Sequence, residues 1–82
     1  MKVYIYSLHK ILYEGDAEIA TLPAADGEIS ILKNHIPLIT KLGKGTITLK
    51  KGQLFDEHIA SFPVTDGVAQ VNEAGITIIA NS

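Results

Sequence analysis

Leu22-Pro23-Ala24-Ala25-Asp26-Gly27-Glu28-Ile29-Ser30-Ile31-Leu32-Lys33-Asn34-His35-Ile36-Pro37-Leu38-Ile39-Thr40 decides the fold of this chain. Two short apolar runs flank the turn residues Asp26-Gly27, and a second turn carries His35 beside Ile36 and Pro37. Glu28 to Leu32 alternates, which predicts a strand with Ile29 and Ile31 inward and Glu28 and Ser30 outward. Pro37 holds Ile36 in extended geometry, so the chain re-enters a strand at Pro37–Lys41.

The same period of two extends in both directions. The chain has twelve Ile, with Val and Thr in the same alternation, and β-branched side chains suit a half-buried pleated surface. Val3, Ile5 and Ser7 are expected on one side of a first strand, with Tyr4, Tyr6 and Leu8 on the other. Ile11–Tyr13 and Ala17–Leu22 follow, separated by an expected turn at Glu14-Gly15-Asp16. Thr46–Lys50, His58–Phe62, Val68–Val71 and Ile76–Ala80 complete the series. Gly43-Lys44-Gly45, Lys51-Gly52, Asp66-Gly67 and Ala74-Gly75 stand between these runs as further turns. Pro63 lacks an N–H and so predicts an edge strand or a bulge. No segment holds a 3.6-residue period for more than two turns. The expectation is an all-β, flattened antiparallel β-sandwich or barrel of about ten short strands, forming a single domain over 1–82.

Bulk properties narrow the function. The 82 residues carry a net charge of −2, seven Lys, no Arg and no Cys. A nucleic-acid partner is disfavoured, because there is no basic stripe, no Arg fork and little aromatic interleaving. No apolar run approaches the roughly 18–20 residues of a membrane-spanning helix, and Met1–Leu8 lacks the sustained apolar core of a signal peptide. His9, His35 and His58 have no ligand spacing, so no metal is expected. Ser7, Ser30 and Ser61 have no nucleophile-elbow surroundings. Gly43-Lys44-Gly45 lacks the spacing and following helix of a phosphate loop. No cofactor and no catalysis are expected.

The order and spacing of Leu22–Thr40 resemble the epsilon subunit of F-type rotary ATP synthases. That family reads approximately Leu-Pro-Gly-x-x-Gly-Glu-Phe-Gly-Ile-Leu-x-x-His-Ala-Pro-Leu over this run. The likeness continues through Tyr13-Glu14-Gly15, Ala17-Glu18, Thr40-Lys41-Leu42-Gly43-Lys44-Gly45, Asp66-Gly67-Val68-Ala69-Gln70-Val71 and Ile76-Thr77-Ile78-Ile79-Ala80. It departs at Lys33-Asn34, where the family has Pro-Gly; Asn also tolerates a left-handed turn. It departs again at Asp66-Gly67, where the family has a Gly pair. The family's two-helix hairpin has no counterpart in these residues, so hairpin inhibition of hydrolysis and ATP binding are not assigned.

The resemblance implies a non-catalytic central-stalk subunit. Such a subunit binds gamma and the polar loops of the c-subunit ring, at the cytoplasmic face of the bacterial inner membrane and peripheral to it. Glu28 becomes the expected ring contact, and its plainer reading is a solvated turn carboxylate. Ser7, His35, Leu38 and Thr40 become the expected gamma contacts. In their plainer readings, Ser7 satisfies a turn and the His35 ring fixes its own loop by bonding to backbone. Leu38, Ile39 and Leu42 are three large residues within five positions. Either both faces of their strand are covered or one packs on a partner. Two other readings compete: a biotinyl or lipoyl carrier domain acylated on Lys44 or Lys51, and a β-sandwich adaptor for an unrelated protein. Neither Lys has the flanking residues a carrier needs.

Overall fold

The structure is a computed structural model, and residues 1–51 and 58–81 are described. Nine strands account for most of them. In chain order they are β1 (Lys2–Tyr6), β2 (Ile11–Asp16), β3 (Ile19–Ala24), β4 (Gly27–Leu32), β5 (Leu38–Leu42), β6 (Gly45–Lys50), β7 (His58–Val64), β8 (Asp66–Asn72) and β9 (Gly75–Asn81). No helix occurs among the described residues. The all-β expectation therefore holds, with nine strands described where about ten were expected.

Hydrogen bonding joins the strands in the order β2-β1-β9-β8-β5-β3-β6-β7, with β4 added beside β3. The β5–β3 link is a single residue pair, Ala24 with Leu42, flanked by bonds from Ala25 N to Lys41 O (2.9 Å) and from Gly43 N to Pro23 O (2.7 Å). So narrow a joint lets the sheet fold over into two layers, β2-β1-β9-β8-β5 and β4-β3-β6-β7. At the diagonal corner, Ala17 N bonds to Met1 O and Glu18 N to Lys50 O, both at 3.0 Å, which ties the β2–β3 link to both layers.

The core lies between the layers and is entirely apolar. Val3, Ile5, Leu22, Ile31, Leu42, Ile47, Leu49, Ile76 and Ile78 are its large, fully buried members. Each sits at the inward position of its alternating strand, and among the described residues no polar side chain is buried with them. Burial of this kind stabilises by about 25 cal/mol per Å² of apolar surface removed from water.

Four expectations need correction or refinement. Glu14-Gly15-Asp16 is not a turn: the three residues end β2, paired with Tyr4, Val3 and Lys2. Gly15 stands there because a Cβ would lie 3.1 Å from the Tyr13 hydroxyl, so its missing side chain makes room for that ring. Asp66-Gly67 begins β8 and leaves Thr65 alone as the corner. Gly67 has φ of 156°, and a Cβ would collide with the Ile79 carbonyl oxygen of the neighbouring strand. The first strand stops at Tyr6, so Ser7 and Leu8 lie beyond it. Finally, β1 runs parallel to β9 within an otherwise antiparallel sheet.

Other expectations are met. Asn34 has a left-handed φ of 67°. Pro63 lies in β7, at one end of the strand order. Ile31 is buried and Ile29 half-buried, while Glu28 and Ser30 are exposed. Lys51 occupies an exposed bend, but Gly52 of that expected turn lies outside the described residues.

Candidate functional site

The β3–β4 hairpin turns at Ala25-Asp26 and places Glu28 opposite Pro23 on a strand that, among the described strands, pairs with β3 alone. The first strand after the His35 loop, β5, lies along the same side of the sandwich. Between β4 and β5 the two layers leave a cleft of about 370 Å³, lined by Ala24, Asp26, Gly27, Glu28, Ile29, Leu38, Ile39 and Thr40. Three of the five expected contact residues, Glu28, Leu38 and Thr40, thus meet at one seam.

Within β5, alternation turns Leu38, Thr40 and Leu42 toward the core and Ile39 and Lys41 away from it. Leu42 is fully buried, and Leu38 is half-buried against the core. Thr40 is also half-buried, and its hydroxyl reaches only the Lys41 carbonyl at 3.4 Å. Ile39 is 72% exposed. One face of β5 is therefore covered and the other is bare.

His35 and Ser7 lie elsewhere. His35 precedes β5, which places it near Val71 and Asn72 at the end of β8, on a second cleft of about 550 Å³ that includes Met1, Asn34 and Pro37. Its backbone N–H donates to Leu32 O at 3.1 Å. Its ring Nδ1 lies 2.7 Å from Ile36 O, and because a carbonyl only accepts, Nδ1 is the protonated nitrogen. The ring thus fixes its own loop. Ser7 follows Tyr6, which aligns with Ile79, Val68 and Lys41 across the sheet and so lies at the opposite end of β5 from His35. The Ser7 hydroxyl and the backbone of Lys10 exchange contacts of 3.3 Å, and Ser7 N donates to Lys10 O at 2.9 Å. That hydroxyl closes the Leu8–Lys10 bend. His9 is exposed in that bend, remote from His35, and the side chain of His58 lies outside the described residues.

A broad apolar surface escaped the sequence reading. Register aligns Ile11, Tyr6, Ile79, Val68 and Lys41 in one row across β2, β1, β9, β8 and β5. Ile11 and Ile79 are each 58% exposed and Val68 is 48% exposed, with Ile39 one row away. Tyr4 and Tyr6 stack on the same face, with centroids 6.4 Å apart. The sequence did carry a signal: in Ile78-Ile79 both faces of one strand are apolar, which a singly covered strand does not require.

A family model described as ATP synthase, Delta/Epsilon chain, beta-sandwich domain matches residues 1–82. The chain is 35% identical over 83 residues to the ATP synthase epsilon chain of Herminiimonas arsenicoxydans, covering 100% of this chain and 57% of that one. It is 37% identical over 81 residues to ATP synthase epsilon chain 2 of Burkholderia orbicola, covering 99% of this chain and 52% of that one. The chain therefore spans little more than half the length of these curated relatives. Among solved structures, a chain from the central stalk and c-ring of Tetrahymena thermophila mitochondrial ATP synthase superposes with a TM-score of 0.80 at 14% identity. It covers 99% of this chain and 63% of that one. A chain of the Euglena gracilis mitochondrial ATP synthase superposes with a TM-score of 0.77 at 16% identity, covering 98% and 48% respectively. At such identities the superpositions speak for the fold.

Proposed function

The chain belongs to the family of β-sandwich domains of the ATP synthase delta and epsilon chains, and from that premise we propose that it works as a non-catalytic part of the rotor. In this reading it binds the gamma subunit and the polar loops of the c-subunit ring of an F-type proton-translocating ATP synthase, and helps couple proton flow to ATP synthesis. It sits at the cytoplasmic face of the bacterial inner membrane, held there through the complex.

The observation that carries the reading is the family match over the whole chain, joined to the gathering of Glu28, Leu38 and Thr40 at one seam. A domain that transmits torque must be gripped over a wide, largely apolar surface with a polar rim. The row Ile11, Tyr6, Ile79 and Val68 offers such a surface for gamma, with Thr40 and Leu38 at its β5 border. Glu28 is exposed on the hairpin side and suits a basic loop of the ring. Ser7 and His35 bracket the gamma-facing layer from opposite ends. Because the Ser7 hydroxyl already serves its bend, its contribution is to present Leu8, which is 79% exposed.

The test is calorimetric titration of this chain into the cognate gamma subunit, with the partner catalytic subunits present. Saturable one-to-one binding is expected. Absence of binding, with both proteins folded, overturns the reading.

A further inference from the structure

We infer that the free edge of β5 is a strand-acceptor site, where an extended segment of the partner pairs through its backbone. Lys41 O accepts from Ala25 N on the side of β5 away from β8, and Gly43 N donates to Pro23 O on that same side. Backbone groups of alternate residues in a strand point the same way, so Ile39 also turns its N–H and C=O away from β8. The β5–β3 joint is limited to Ala24 and Leu42, and no described strand stands beside Ile39. Its N–H and C=O and the Lys41 N–H are therefore open toward the β4–β5 cleft.

The other sheet edges are blunted in several ways, whereas the only charged residue of β5 is Lys41. In β7 the edge carries Pro63, and its pairing with β6 shifts register at Leu49/Lys50. In β2 it carries Glu14 and Asp16, and its pairing with β1 shifts at Ile5/Tyr6. In β4 it shows exposed Glu28 and Ser30. Proline, charge and bulges are the usual protection against pairing with another chain. In contrast, β5 pairs with β8 in unbroken register from Leu38 to Leu42 and presents the exposed, apolar Ile39.

The cleft also defines the occupant. Ile29 and Leu38 supply apolar lining, and Asp26 and Glu28 supply negative charge on the hairpin side. A fitting segment is extended, with an apolar side chain toward Ile29 and Leu38 and a basic residue toward Asp26. Main-chain bonds then supply affinity and the alternating side chains supply selectivity. The identity of the partner as gamma rests on the stalk reading above, whereas the edge geometry does not.

The experiment compares Ile39→Pro and Ile39→Thr in the gamma titration, with amide hydrogen exchange of the free and bound chain. The Ile39 N–H faces away from β8, so Ile39→Pro removes no ladder bond of the free sheet yet blocks an incoming strand. Circular dichroism and thermal melting of both variants report that they fold. The expected result is binding about tenfold or more weaker for Ile39→Pro than for Ile39→Thr, which loses the same apolar side chain but keeps the N–H, and protection of the Ile39 and Lys41 amides on complex formation. Unchanged binding by folded Ile39→Pro, with those amides still exchanging freely in the complex, overturns the edge site and leaves the stalk reading standing. Protection that grows with concentration in the isolated chain assigns the edge to a second copy and also overturns it. No binding by the wild-type chain removes the stalk reading, and with it this site as a gamma contact.

Discussion

Gly75 opens β9 with φ of 140°, opposite Lys2 of β1, where an added Cβ would collide with the Lys2 carbonyl oxygen. Gly75→Ala is expected to lower stability by about 2–4 kcal/mol, read as a shift in denaturant midpoint, because strain and backbone collision add. Asn34 predicts the opposite behaviour: Asn34→Gly should be close to neutral, whereas Asn34→Val should cost about 1–2 kcal/mol at its φ of 67°. Lys2 and Asp16 pair at 3.1 Å with side chains 57% and 68% exposed. The hydrogen bond that Lys2 donates to Asp16, and then the Asp16 charge, raise the Lys2 ammonium above the ordinary lysine range. A raised value means the pair's contribution is whole below that range and fades as pH climbs through it. Asp16→Asn should therefore leave melting near neutral pH almost unchanged and flatten only its alkaline decline, since the pair is solvated. At Glu28, which is exposed and paired only through its backbone to β3, Glu28→Lys should weaken coupling to the ring without unfolding the domain. An unchanged ATP-driven proton-pumping ratio in that variant would count against the ring contact.

At the scale of elements, the two terminal strands of the sheet, β2 and β7, meet through an edge-to-face contact of Tyr13 and Phe62, centroids 6.0 Å apart. The Tyr13 hydroxyl donates to Asp16 O at 3.0 Å, which pins the ring over Gly15. Phe62→Ala is expected to cost about 2–4 kcal/mol and to speed amide exchange in β2 as well as β7. Pro63→Val should scarcely change unfolding free energy but should promote self-association, visible by light scattering, because it restores a donor to an edge. Much of this level was legible in the sequence. Alternation named Ile29 and Ile31 as inward and set Val3 and Ile5 on one face of β1, and Pro63 and Asn34 declared their edge and turn through backbone chemistry alone. What stayed hidden was pairing. Glu14-Gly15-Asp16 has turn composition, yet Gly15 serves the Tyr13 ring rather than a reversal. Which strand lies beside β1 depends on contacts more than seventy residues away, as Val3 with Ile76 shows. The outward row Ile11, Tyr6, Ile79 and Val68 was hidden for the same reason, because its members become neighbours only once register is known.

For the whole molecule, the core is thin, as an 82-residue chain without disulfides requires. Leu22→Ala, at a site with no solvent exposure, is expected to cost about 3–5 kcal/mol, a large share of a stability of about 5–10 kcal/mol. Only local hairpins such as β3–β4 and β8–β9 form cheaply, and the remaining pairings close long loops. Folding should accordingly take milliseconds to seconds, as stopped-flow tyrosine fluorescence would report. The parallel union of β1 and β9 has a mechanical meaning for such a small body. When the start of β1 and the end of β9 are drawn apart, the bonds between them are loaded side by side along the strands instead of being peeled open one at a time. The domain is thus braced where β1 and β9 join, and the yield force in single-molecule stretching should fall sharply when tension is applied across the β8–β9 turn.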